Sequence, residues 1–185
     1  MDPLSFSFRS DRLCLDFAAT LGRRGVSDIE RLRSADELSR WCVMAGLLPE
    51  LPAADQNHLA QARILREAVY RSVQHARSGR ECMPQDIEEI NIWAVLPPAP
   101  LRLRRDGRAT EPVGSESVAH AFASVARDAV DLLTGAELER IGECQGEACS
   151  VLFVDRSRTV RRRWCSMNHC GNKAKKKTYR GHSHG

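Results

Sequence analysis

Four cysteines near one end of the chain constrain its fold more than any other feature. Cys144, Cys149, Cys165 and Cys170 follow the spacing C-x4-C-x15-C-x4-C. Two close pairs joined by a longer loop are the layout of a four-thiolate zinc site, because each pair grips two corners of a tetrahedron from a single turn. Gly146 lies inside the first pair and Gly171 follows the last cysteine, where tight turns need small residues. His169, beside Cys170, is a lesser alternative ligand, since neighbouring residues rarely both reach one metal. The expected cofactor is one structural zinc ion, because four thiolates leave no open position for water. So short a module takes much of its folding energy from the metal. A chelator is therefore expected to melt this segment and leave the rest of the chain folded. Cys14, Cys42 and Cys82 are scattered and read as core thiols.

The cysteine cluster sits in a segment of unusual charge. The 185-residue chain has a net charge of +4, with 42% hydrophobic and 28% charged residues, which fits a folded protein and argues against extensive disorder. Met1 to Ser150 hold 18 Lys/Arg against 23 Asp/Glu, whereas Val151 to Gly185 hold 10 against 1. A basic terminal segment on a mildly acidic body suggests a module that meets a polyanion. No apolar run is long enough to span a bilayer, and the first residues lack the pattern of a signal peptide. A cytoplasmic location is expected, where thiols stay reduced and clustered cysteines serve metals.

The remaining residues read as helices. RLCLDFAATL, residues 12–21, places Leu13, Phe17 and Leu21 on one face. Gly22 and Gly25 then flank a loop, and Ser34 with Glu37 forms a capping box ahead of a helix that Gly46 ends. A long helix is expected from Ala54 to Ala76, closed by Gly79, and Pro84 opens the next, Gln85 to Val95. LRLRRDGRATEPV changes to strand alternation around an Asp106-Gly107 turn, a hairpin signal. A helix starting at Ser115 or Ser117 runs to Leu133 with Val118, Phe122, Val125, Ala129 and Leu133 inward. A short helix, Glu137 to Ile141, leads to Cys144, and VLFVD after Cys149 reads as a strand. The expected fold class is mainly α (α+β): a helical domain with a β-hairpin over residues 1–138, then a small four-cysteine zinc module over 139–185.

One arginine stands out in the long helix. Leu59, Ala62, Leu65, Val69, Val73 and Ala76 share an apolar face, and Arg66 falls inside it. A charge on such a face needs a partner. Asp16, with Thr20 beside it in the first helix, is the expected one. The pair is either a structural ion pair or, with Thr20, part of a pocket in which Arg66 binds an anionic small molecule.

The basic residues of the second module are Arg156, Arg158, Arg161, Arg162 and Arg163 on one run and Lys173, Lys175, Lys176, Lys177 and Arg180 on the other. Held beside each other by zinc, they would bind phosphates by counterion release. DNA is the expected partner, with RNA or an acidic protein as rivals. A solvated basic tail is the plainer alternative.

These residues carry a family resemblance over nearly the whole chain. The run C-x4-C, LFVDRS, RRRWCSM and CGN resembles the CGNR zinc-finger family. LCLDFAAT and LREAV resemble the ABATE domain that usually precedes it, a domain ascribed to stress-induced transcription regulators. The resemblance implies zinc on Cys144, Cys149, Cys165 and Cys170 and a DNA-binding role for the basic residues around them. Lys173 stands where the family has arginine, and Ala19 where it has asparagine. The expected function is a DNA-binding transcription regulator whose N-terminal domain senses a ligand or forms a homodimer. An enzyme or small-molecule binder built on the N-terminal domain, and a zinc-stabilised protein adaptor, are the alternatives. No nucleophile–base pair, phosphate loop or catalytic metal motif is visible, so the chain is not expected to be an enzyme.

Overall fold

A computed structural model describes residues 4–112 and 117–182. The alternative helix start at Ser115 and the tail residue His184 lie outside the described residues, as do the side chains of Arg180 and His182. The described residues are mainly helical, with three small two-stranded sheets among them.

Helices α1 (Leu13–Ala18), α2 (Ala35–Met44), α3 (Gln56–Arg77), α4 (Pro84–Ala94) and α5 (Val118–Thr134) form the body. The central helix α3 packs against α1, α2, α4 and α5, and α4 and α5 lie side by side. Local signals set most of their ends. Asp55 caps α3 by accepting from the His58 amide at 2.8 Å, while the Asp55 amide donates to His58 Nδ1 at 3.2 Å. Pro84 occupies the first turn of α4, where a missing N–H is harmless. Gly46 and Gly79 follow α2 and α3 with φ of +71° and +70°, values that favour glycine. Ser34 accepts from the Glu37 amide at 3.3 Å, but the Glu37 carboxylate turns to Arg33 and Arg40 instead of closing the expected capping box.

The core is built from Leu15, Phe17, Leu38, Trp41, Leu65, Val69, Val73, Phe122 and Leu132. Phe17 meets Trp41 and Trp93 meets Phe122, each pair with centroids 4.8 Å apart. Such contacts contribute about 0.5–1.5 kcal/mol beyond area burial. Cys14 and Cys42 are fully buried core thiols, and Cys82 is half-buried. On α5 it is Leu132 that reaches the core, while Leu133 packs at its edge.

The first helix is shorter than its periodicity suggests. It stops at Ala18, and Leu21–Gly22 (β1) pairs antiparallel with Ile29–Glu30 (β2). Thr20 ends the helix by donating its hydroxyl to the Phe17 carbonyl at 2.7 Å. β3 (Leu101–Leu103) and β4 (Thr110–Pro112) form the hairpin around Asp106-Gly107. The chain then passes through α5 and a short 3-10 turn, Ala136–Arg140, into β5 (Ile141–Glu143), where a helix end was expected. β5 pairs with β6 (Leu152–Val154), matching Ile141 to Val154 and Glu143 to Leu152. Gly142 is needed there, because a Cβ would come within 2.9 Å of the Phe153 ring. A wide helical turn, Met167–Gly171, leads into the last helix, α6 (Asn172–His182).

The cysteine module is not a bead on a linker. Ile141, Leu152 and Val154 belong to the main hydrophobic core. The Val154 amide donates to the Ser10 carbonyl at 3.0 Å, and Arg77 pairs with Glu143 at 2.6 Å. One strand face therefore serves the helical body while Phe153, on the other, packs with the cysteines.

Candidate metal centre and its basic surround

The first cysteine pair lies on the turn between β5 and β6. The Cys144 amide donates to the Val151 carbonyl at 2.9 Å, and the Cys149 amide donates to Gly146 at 3.0 Å, curling the turn inward. Gly146 has to be glycine, because a Cβ would lie 2.9 Å from Cys170 Sγ and 3.2 Å from Cys149 Cβ. Of the second pair, Cys165 lies just before the Met167–Gly171 turn and Cys170 within it. The Cys165 amide donates to Cys144 Sγ at 3.2 Å, which ties the two loops together.

The four Sγ atoms lie within 4.8 Å of one another, with Cys149–Cys165 at 3.9 Å and Cys165–Cys170 at 3.7 Å. Zn–S bonds of about 2.3 Å in a tetrahedron require S···S edges of about 3.8 Å. Disulfides are far shorter, and none of the seven cysteines forms one. His169 is exposed and is not part of the cluster.

The thiols also resist sharing this space without a cation. Hydrogen bonds from Cys149 and Cys165 hold the Cys144 thiol well below the usual thiol range. Its hydrogen bonding pushes Cys149 and Cys165 up, and burial, with the charges of Cys149 and Cys144, pushes Cys170 up to about 12. Four thiolates coexist here only around a dication, which supplies the missing charge and holds the two loops. The donor set is all sulfur and closed, so the zinc it takes is structural.

The basic residues divide into three groups. Arg162 is turned inward. It pairs with Asp11, donates to the Cys165 carbonyl, and donates to Arg9 and Trp164 carbonyls at 3.0 and 2.9 Å. Its guanidinium also lies 4.4 Å over the Phe153 ring. The expectation that it contacts phosphate gives way to a clamp between module and N-terminal segment. Nothing in the sequence separates it from its neighbours Arg161 and Arg163. A second group points outward. Arg158, Arg161 and Lys175 are exposed and have no carboxylate partner among the described residues. Arg163 is exposed too, donating to Gln145 at 2.8 Å. Arg156 is exposed but shares Glu137 with Arg12. The third group, Lys173, Lys176 and Lys177, faces a cleft toward the helical body. Arg180 follows on the same helix, its side chain outside the described residues.

Asp16 and Arg66 do not pair. Asp16 accepts the Arg9 and Ser10 amides at 2.8 and 3.0 Å, pinning the N-terminal segment; burial raises its pKa despite these bonds. Arg66 is buried, as its place in the apolar stripe requires, but its partners are Glu30 at 2.7 Å and Glu67 at 2.8 Å. Thr20 accepts from Arg66 at 3.4 Å. The three residues expected to line a pocket are thus spent on internal contacts. Glu30 escaped sequence reasoning because a two-residue strand carries no periodic signal.

A helical domain fused to a closed four-cysteine centre with a cationic surround defines a zinc-finger protein with an accessory domain. The chain belongs to the ABATE family, described as "Putative stress-induced transcription regulator", which matches residues 11–136; the CGNR zinc finger matches residues 140–182. A comparison with curated proteins finds no relative.

Proposed function

We propose that this protein is a cytoplasmic DNA-binding transcription regulator that acts by binding and not by catalysis. The observation that carries this reading is the zinc-framed set of Arg158, Arg161, Arg163 and Lys175, exposed and without carboxylate partners among the described residues. A metal centre and a docked hairpin hold these cations in place, so little entropy is lost when phosphates bind. Arginine forks suit phosphate oxygens and guanine edges. The family description supports a regulatory role.

The test is fluorescence anisotropy of a labelled duplex against zinc-loaded protein over a range of salt concentrations. Affinity should fall with salt, and Arg158→Ala or Arg161→Ala should each flatten the log–log slope by about one. Absence of duplex binding, or affinity indifferent to salt, refutes the reading. Tighter binding to an RNA of the same sequence would replace DNA with RNA as the partner.

A further inference from the structure

Between the β1–β2 ribbon and the cysteine module lies a cleft of about 890 Å³. That volume falls in the range of about 300–1,000 Å³ typical of small-molecule sites. A double helix is too broad to enter it. Arg9, Arg23 and Arg31 line one wall, and Lys173, Lys176 and Lys177 the other. The one carboxylate among the described lining residues, Glu147, lies 3.0 Å from Lys177 Nζ.

Arg31 distinguishes this cleft from a chance meeting of surface charges. Elsewhere the protein pairs its sequestered arginines with carboxylates: Arg12 with Asp128, Arg24 with Glu67, Arg66 with Glu30. Arg31 is half-buried, yet its guanidinium donates only to neutral carbonyls, Ser5 at 2.9 Å and Ala19 at 3.0 Å, with no ion pair among the described residues. It rests on Gly22, where a Cβ would come 2.4 Å from Nη1. Burial and the charge of Arg9 lower its pKa, and the charges of Cys149 and Glu30 nearby offset this only in part. The zinc tetrathiolate, whose Cys149 and Cys170 reach the cleft, adds two negative charges, and Arg23, Arg31, Lys173, Lys176 and Lys177 still outweigh these and Glu147 together.

We propose that this cleft binds a small polyanion carrying at least two phosphate groups, clamped between Arg23 and Arg31 on one wall and Lys173 and Lys176 on the other. Charge on both walls calls for an anion charged at both ends. Such a ligand ties the helical domain to the zinc module and draws Lys173 and Lys176 away from any other polyanion. The site is separate from the outward arginines of the proposed DNA surface, so either assignment can fail without the other.

Isothermal titration of the full zinc-loaded chain with inorganic pyrophosphate, without DNA, tests it. Saturable binding at one site per chain is expected, tighter than binding of orthophosphate. Arg23→Ala and Lys176→Ala remove exposed side chains that form no ion pair among the described residues, so the fold should survive. Each should weaken pyrophosphate about tenfold, the scale of one charged hydrogen bond. Arg158→Ala, outside the cleft, should leave it unchanged. Absence of saturable binding, affinity unmoved by both cleft variants, or an equal loss on Arg158→Ala overturns the proposal.

Discussion

Replacing Arg162 with alanine separates a clamp from a phosphate contact. Arg162 reaches Asp11 and the Arg9 carbonyl on the N-terminal segment, and the Trp164 and Cys165 carbonyls beside the metal centre. Hydrogen bonds to charged groups are worth about 1.5–3 kcal/mol each when buried. The side chain here is 27% exposed and Asp11 42%, so the ion pair itself contributes at most about 1 kcal/mol. The carbonyl contacts and the stacking on Phe153 bring the expected loss to about 3 kcal/mol. For a chain of this length that lowers Tm by about 6–12 °C. Zinc-saturated wild type and Arg162→Ala would be compared by urea denaturation and thermal melting, with duplex affinity measured where both are folded. The variant should be markedly less stable and retain most of its DNA affinity. A stable variant with lost affinity would refute the clamp and restore Arg162 to the phosphate surface.

Three further outcomes follow from the same geometry. Gly146→Ala should weaken zinc about 10–100-fold in competition with a chromogenic chelator, since the new methyl crowds Cys170 Sγ at 2.9 Å and displaces a ligand. An unchanged zinc affinity would mean the turn is more yielding than its contacts indicate. Burial would raise the pKa of Glu67, but Arg24 and Arg66 outweigh it and hold the carboxyl below its ordinary 4.5. Its stabilising contribution is therefore complete above that value and disappears as pH falls through the folded-state pKa. Glu67→Gln should be less stable at neutral pH and lose less stability on acidification, by urea titrations at successive pH values. Stripping zinc should lower the melting of the helical body as well as the module, because Ile141, Leu152 and Val154 complete the main core. A helical transition unmoved by chelation would argue for two independent domains.

The last expectation departs from what the sequence suggests, and the reason is instructive. The basic, cysteine-rich segment reads as a detached module because charge and ligand spacing are local properties. The docking of β5 and β6 depends on partners such as Ser10 and Arg77, far away in the chain. Helices with local signals were legible: Pro84, Gly46 and Gly79 mark ends that hold in three dimensions. The cysteine cluster was legible for the same reason, each pair being carried by one turn. The place of Arg66 in an apolar stripe marks it as a buried charge, but no local signal marks its partner. Asp16 is taken by amides of the N-terminal segment, and Glu30 sits in a strand too short to announce itself. The cleft was invisible, since Arg31 and Lys176 meet only through the fold.

The central claim is that four thiolates hold one structural zinc ion and so frame the basic surface. X-ray absorption at the zinc edge, with metal content measured on the same full-length sample, tests it most directly. One zinc per chain, with four sulfur scatterers at about 2.3 Å, is the expected result. A sample without zinc, or a shell containing nitrogen or oxygen in place of a sulfur, would contradict it.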